Sequence, residues 1–216
     1  LGTQMKATGE VMSIGENFEA AFLKAFRSLE LGLSSLRSAH IMALSDEQVH
    51  AGLHNQVDER ILVVSEAIRR GFDLDEIYEA TRIDKWFLER IASIHARDRA
   101  IEQAGAGGLT RELLYDAKLH GVSDRTIGEL TGLPEMEVRN RRKALGVTAR
   151  FQVVDTCPHA PGGLGDYYYS VYGPDYTMDC RTAPQGAVVL GSGPIRIGQG
   201  VEFDYCCVHC AWALSR

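Results

Sequence analysis

Four groups of residues in this sequence have types and spacings that do chemistry. His209 and Cys210 follow Cys206 by three and four positions, so on a helix all three share a face, and Cys157 or His159 would complete a tetrahedral metal set. The spacing fits no common zinc pattern, and buried thiols packed against a helix are the simpler reading. Gly191, Gly193 and Gly198 stand at an expected strand-to-helix corner, where backbone amides and a helix dipole hold anions. Pro194 interrupts the dinucleotide spacing and no second strand supplies an acidic ribose partner, which favours a tight turn over a nucleotide site.

The third group is basic. Residues 123–146 read as a helix-turn-helix around Gly132-Leu133-Pro134, with Arg139, Arg141, Arg142 and Lys143 along the second helix. A DNA-binding regulator is therefore the main competing function. Against it, Glu135 and Glu137 open the helix that would meet phosphates, and cations near a helix C-terminus are favourable without any ligand. The fourth group is Glu10, Arg196 and Glu202, charges set in apolar or glycine-rich terminal stretches. They could line a polar passage, but spacing alone favours a solvated face.

The elements that position these groups are mostly helices. From about residue 16 to residue 146 the apolar spacing is helical and glycines punctuate it, which predicts an all-helical domain of about eight helices. Asn17 opens a first helix closing at Gly32, with Phe18, Phe22, Phe26 and Leu29 on its apolar face and Lys24 and Arg27 pointing elsewhere. Ser45 with Gln48 and Asp73 with Glu76 have capping-box spacing, and Asp84, Thr110 and Ser123 are further N-caps. Ile83, Trp86, Phe87, Ile91 and Ile94 line the longest helix, which makes Trp86 and Phe87 the expected core anchors.

Beyond residue 150 the texture changes. Residues 151–185 are rich in Pro, Gly and Tyr and read as an irregular linker over the helices. Ala187-Val188-Val189-Leu190 reads as a strand buried on both faces, followed by the glycine turn and one helix. A lone strand, turn and helix cannot bury its own surface, so the expectation is a piece of a longer polypeptide that catalyses nothing alone.

With 216 residues, 45% of them hydrophobic, the chain can bury an ordinary core, and a net charge of −6 gives no general attraction to nucleic acid or anionic lipid. Five cysteines, two of them adjacent, do not read as a disulfide framework and point to reduced, cytoplasmic thiols. No apolar run reaches transmembrane length and no signal-peptide pattern stands at the N-terminus.

Residues 4–15, Gln-Met-Lys-Ala-Thr-Gly-Glu-Val-Met-Ser-Ile-Gly, with Phe18 and Glu19, closely resemble the end of the first ATP-grasp unit in the large subunit of carbamoyl phosphate synthetase. Residues 189–209, VLGSGPIRIGQGVEFDYCCVH, resemble the opening of that subunit's second synthetase half, and residues 83–88 and 154–157 look like family landmarks between them. The likeness departs at Glu16, where an arginine is usual, at Pro161-Gly162-Gly163 and at Cys210-Ala211-Trp212.

The resemblance implies a mainly α chain in which an all-helical oligomerisation domain is flanked by an ATP-grasp remnant and a single βα unit of a Rossmann-like pre-ATP-grasp domain. The expected boundaries are 1–30, 31–178 with the linker included, and 179–216. It implies a parent ligase that makes carbamoyl phosphate, for arginine or pyrimidine synthesis, from bicarbonate, ammonia and two ATP. The parent would use ATP and Mg, with Mn and K as candidate further ions, and take ammonia from a glutaminase small subunit. The piece itself would hold no cofactor, metal or catalytic residue, and would associate with itself but not with nucleic acid or membrane. Met5, Glu10, Arg196, Gly200 and Glu202 match residues bordering the family's internal carbamate tunnel, which reverses the solvated-face reading of the three charges. A stand-alone nucleotide-binding enzyme is the remaining alternative.

Overall fold

Side-chain caps start most of the helices. Asn17, Ser45, Asp73, Asp84, Thr110 and Ser123 each accept a hydrogen bond from a backbone N–H of the first turn that follows. The computed structural model describes residues 11–153, 168–173, 186–190 and 200–215. Within them the caps open α1 (Phe18–Ser28), α3 (Asp46–Leu53), α5 (Leu74–Thr81), α6 (Lys85–Ala104), α7 (Arg111–Leu119) and α8 (Asp124–Thr131), while α2 (Ala39–Met42), α4 (Arg60–Arg70) and α9 (Glu135–Ala144) begin without a side-chain cap bond. Ser45 and Gln48 form the full reciprocal capping box; Asp73 caps through Asp75 N instead. β1 (Arg150–Val153), β2 (Tyr168–Val171) and α10 (Gly200–Leu214) complete the described elements, and the chain is mainly α.

The body has two apolar centres strung along one spine. In the first, Leu23 and Phe26 of α1 meet Val49, Leu53, Leu62, Val64 and Ile68 together with Leu88, Ile91 and Ile94 of α6. In the second, Ile101 from the far end of α6 joins Leu114, Ala117, Ile127, Val138 and Val147. A helix of 20 residues runs about 30 Å, so α6 joins both centres rigidly. A polar pair lies inside the first centre: Ser65 Oγ stands 2.8 Å from His95 Nε2, with His95 Nδ1 unpartnered.

Several expectations are corrected. Nine helices, not about eight, occupy residues 18–144 among the described residues; the additional one is α2, whose 4 residues are too few to show a helical apolar stripe. α1 ends at Ser28 rather than Gly32, and its buried residues are Glu19, Ala20, Leu23 and Phe26, so the inward face is turned from the phenylalanine stripe. Trp86 and Phe87 are not core anchors: they are 49% and 43% exposed. The inward residues of α6 run Leu88, Ile91, Ile94 and His95, and Trp86 stands about 200° around the helix from Leu88. The two rings instead cover Phe18, with centroids 5.2 and 5.5 Å from it.

Residues 187–190 form no strand, and Val188 and Leu190 are 85% and 86% exposed; no neighbouring strand stands beside them among the described residues, and an unpaired strand has nothing to bury it. The expected linker holds regular structure, since β1 and β2 pair antiparallel with Arg150 opposite Val171 and Phe151 opposite Ser170. Local spacing could not show a pairing whose partners lie so far apart.

Candidate functional site

The incoming chain at residues 11–17 and the outgoing chain at 168–173 meet on α1 and the α7–α8 corner. Asn17, Lys24 and Arg27 contribute to that meeting. Asn17 Oδ1 caps α1 through Ala20 N at 2.8 Å, and its Nδ2 donates to the Leu119 carbonyl at 3.0 Å, tying the start of α1 to the end of α7. Lys24 Nζ donates to the Ile14 carbonyl at 3.0 Å and to the Ser170 carbonyl at 2.6 Å, and lies 5.5 Å from the centre of the Tyr169 ring. Arg27 donates to the Gly121 carbonyl at 2.9 Å.

Close approach makes this possible. Gly121 has a φ of +84°, and a Cβ there would lie 2.6 Å from Ala20 Cα, so only glycine lets the α7–α8 corner reach α1. Gly15 is equally tight, since a Cβ would stand 2.7 Å from Ala21 N. The Glu16 carboxylate covers the buried Gly173, where a Cβ would come within 2.7 Å of Glu16 Cδ.

Electrostatics at this junction are dominated by cations, with Lys24 and Arg27 half-buried and Lys118 buried. Burial holds Lys24 below the usual lysine range, helped by the neighbouring Arg27 charge and opposed by Glu16. Burial also pushes Arg27 down. Lys118 is lowered by burial too, although Asp124, 3.1 Å away, pulls the other way. Asp124 in turn accepts from Arg142 Nε at 2.9 and 2.8 Å, and Arg142 NH1 donates to the Val147 carbonyl at 3.0 Å. The Tyr172 ring closes the group, with Lys118 Nζ at 5.1 Å and Arg142 Cζ at 5.6 Å from its centre.

These contacts also decide the basic helix. α8 and α9 do form a helix-turn-helix, with Gly132 left-handed between them. Arg142, however, is buried in its pair with Asp124, and Arg141 is held by Glu137 and the Ala106 carbonyl. A DNA-reading surface needs free cations, and of these two Arg142 is buried and Arg141 is already paired at the surface.

Of the residues singled out for a metal, Cys157 and His159 lie outside the described residues. Cys206, His209 and Cys210 do share α10, but Cys206 and Cys210 are exposed rather than buried, because nothing described covers that helix, and His209 sits between Tyr205 and Trp212. Among the described residues no group of three His, Cys, Asp or Glu side chains fits a metal ion. The glycine corner at 191–198 and the passage residues Met5, Glu10 and Arg196 lie outside the described residues; Gly200 begins α10 and Glu202 falls in its first turn. Lys24 and Arg27 were missed because the phenylalanine stripe hid the other face: each stands four positions after an inward residue, Ala20 and Leu23.

The family description "Carbamoyl-phosphate synthetase large chain, oligomerisation domain" matches residues 10–146, the whole helical body. The chain belongs to the carbamoyl-phosphate synthetase large-chain family. A second description, "Carbamoyl phosphate synthase preATP-grasp domain", matches residues 183–216. The chain is 44% identical over 214 residues to the carbamoyl phosphate synthase large chain of Thermoanaerobacter sp. (strain X514), covering 99% of this chain and 20% of that relative. Its identity to the large chain of Agathobacter rectalis is 45% over 217 residues, again 20% of the relative's length, and to that of Lachnoclostridium phytofermentans 43%. The chain thus spans about a fifth of the length of the large chains it matches. Among the described residues no helix is long and apolar enough to cross a membrane.

Proposed function

We propose that this chain is the connector between the two synthetase halves of a cytoplasmic carbamoyl phosphate synthetase large chain, keeps the halves in register and mediates self-association. The observation that carries this reading is the double hydrogen bond of Lys24, which clasps the incoming chain at Ile14 and the outgoing chain at Ser170. A rigid body that grips both segments at one point fixes where each leads. The oligomerisation-domain match over residues 10–146 supports self-association.

In the parent, bicarbonate is phosphorylated by ATP to carboxyphosphate, ammonia displaces phosphate to give carbamate, and a second ATP phosphorylates carbamate. The nucleotide and its Mg, with any Mn or K, belong to the parent's ATP-grasp units, and ammonia comes from a glutaminase small subunit. Carbamate decomposes in water, so its route between halves must exclude bulk solvent. Met5, Glu10, Arg196, Gly200 and Glu202 border that route, with Gly200 leaving bore where a side chain would obstruct. The connector itself catalyses nothing.

Gly200→Phe in the full-length large chain tests the route: ATP hydrolysed per carbamoyl phosphate formed should rise, and an unchanged ratio removes Gly200 from the wall. Sedimentation of the 216-residue chain should show a dimer or larger species, and a strict monomer over a wide concentration range counts against self-association.

A further inference from the structure

The junction forms a partly open cavity of about 170 Å³ whose wall carries Lys24, Arg27 and Lys118 against a single carboxylate, Glu16. We propose that this cavity binds a small oxyanion of phosphate or bicarbonate size, held chiefly by Arg27 with Lys24 and Lys118 beside it. The site stands on the cavity alone and is independent of the connector role.

Charge balance makes the case. Lys118 has Asp124 as its partner, and Glu16 acts on Lys24 from a distance. Arg27 has neither: among the described residues its one hydrogen-bond partner is the neutral Gly121 carbonyl. A guanidinium carries five N–H donors in a planar fork suited to oxyanions, and the rest of this fork finds no protein partner among the described residues. Arg27 also repels both lysines, lowering the proton affinity of each. A half-buried charge with no counter-charge beside it pays part of its desolvation uncompensated, and an anion in the cavity relieves both the desolvation of Arg27 and the mutual repulsion. The volume suits one small anion with a water or two, and is too small for a nucleotide.

The test is thermal unfolding of the 216-residue chain, titrated separately with inorganic phosphate and with bicarbonate at ionic strength held constant with sodium chloride. A saturable rise in Tm with either anion supports the site and identifies its source; no rise with either, or the same rise with chloride alone, overturns it. Arg27→Gln should abolish the rise while retaining a donor for Gly121. Should that variant fail to fold, Glu16→Gln is decisive: removing the one negative wall charge should tighten anion binding by roughly three- to tenfold. Unchanged or weaker binding in Glu16→Gln overturns the proposal.

Discussion

Lys24 Nζ, midway along α1, lies 2.6 Å from the carbonyl oxygen of Ser170, 146 positions further on. The same ammonium holds Ile14 ten positions earlier, so one side chain ties together the two ends of the helical body.

Lys24→Met keeps the stem and removes both bonds. Hydrogen bonds from a charged donor contribute about 1.5–3 kcal/mol, and partial exposure lowers the yield here, so the expected loss is about 1–3 kcal/mol. Urea denaturation measures it. Amide exchange at residues 168–171 should accelerate in the variant more than exchange within α6.

Asp124 holds Lys118 and Arg142 together at the α7–α8–α9 corner, with all three side chains buried. Asp124→Asn strands two buried cations, a loss of about 3–5 kcal/mol. Asp124→Asn with Arg142→Met removes one stranded charge and should recover part of that loss. If the double variant is as unstable as the sum of the single ones, the three do not act as a unit.

Gly121→Ala should cost upward of about 2 kcal/mol, because a positive φ and a clash act together. The added methyl meets Ala20 Cα, backbone that cannot swing aside. Gly132→Ala is the control: its φ is also positive, at +73°, but a Cβ there meets nothing within 4 Å. It should lose only about 1 kcal/mol.

Two buried groups on α6 give opposite pH dependences. Burial pushes His95 from 6.5 down to about 4, with the nearby Arg69 charge adding to the effect. From pH 6.5 to about 4 the unfolded chain takes up a proton the folded chain refuses, so His95 makes stability fall as pH falls. Burial pushes Asp98 from 3.8 up to about 6. Between those values the folded chain keeps a proton the unfolded chain has lost, so Asp98 makes stability rise as pH falls. Each slope is at most about 1.4 kcal/mol per pH unit, and they oppose one another from about pH 6 to about pH 4. Asp98→Asn should therefore lose stability more steeply than the parent sequence over that window. Parallel profiles would show that Asp98 does not titrate there.

Local chemistry made the helices legible. Asn17, Ser45, Asp84, Thr110 and Ser123 announce helix starts because a cap acts within three residues, and Gly71, Gly121, Gly132 and Gly146 mark stops because each takes a positive φ. Arg82 takes that conformation at the end of α5 without being glycine, which composition does not reveal. Trp86 lies outside despite its size, because the phase of α6 decides which side faces in. The β1–β2 ladder and the Lys24 clasp rest on contacts between distant parts of the chain, and no local spacing encodes those. The family's residues at the two ends were readable as motifs, whereas the junction between residues 11–17 and 168–173 emerges only in three dimensions.

The most direct measurement is the ratio of ATP hydrolysed to carbamoyl phosphate formed by the full-length large chain carrying Lys24→Met, with faster amide exchange at 168–171 verifying that the clasp has opened. A connector that keeps both synthetase halves in register predicts a raised ratio, as misaligned halves lose carbamate to water. A wild-type ratio with the clasp open would contradict that role.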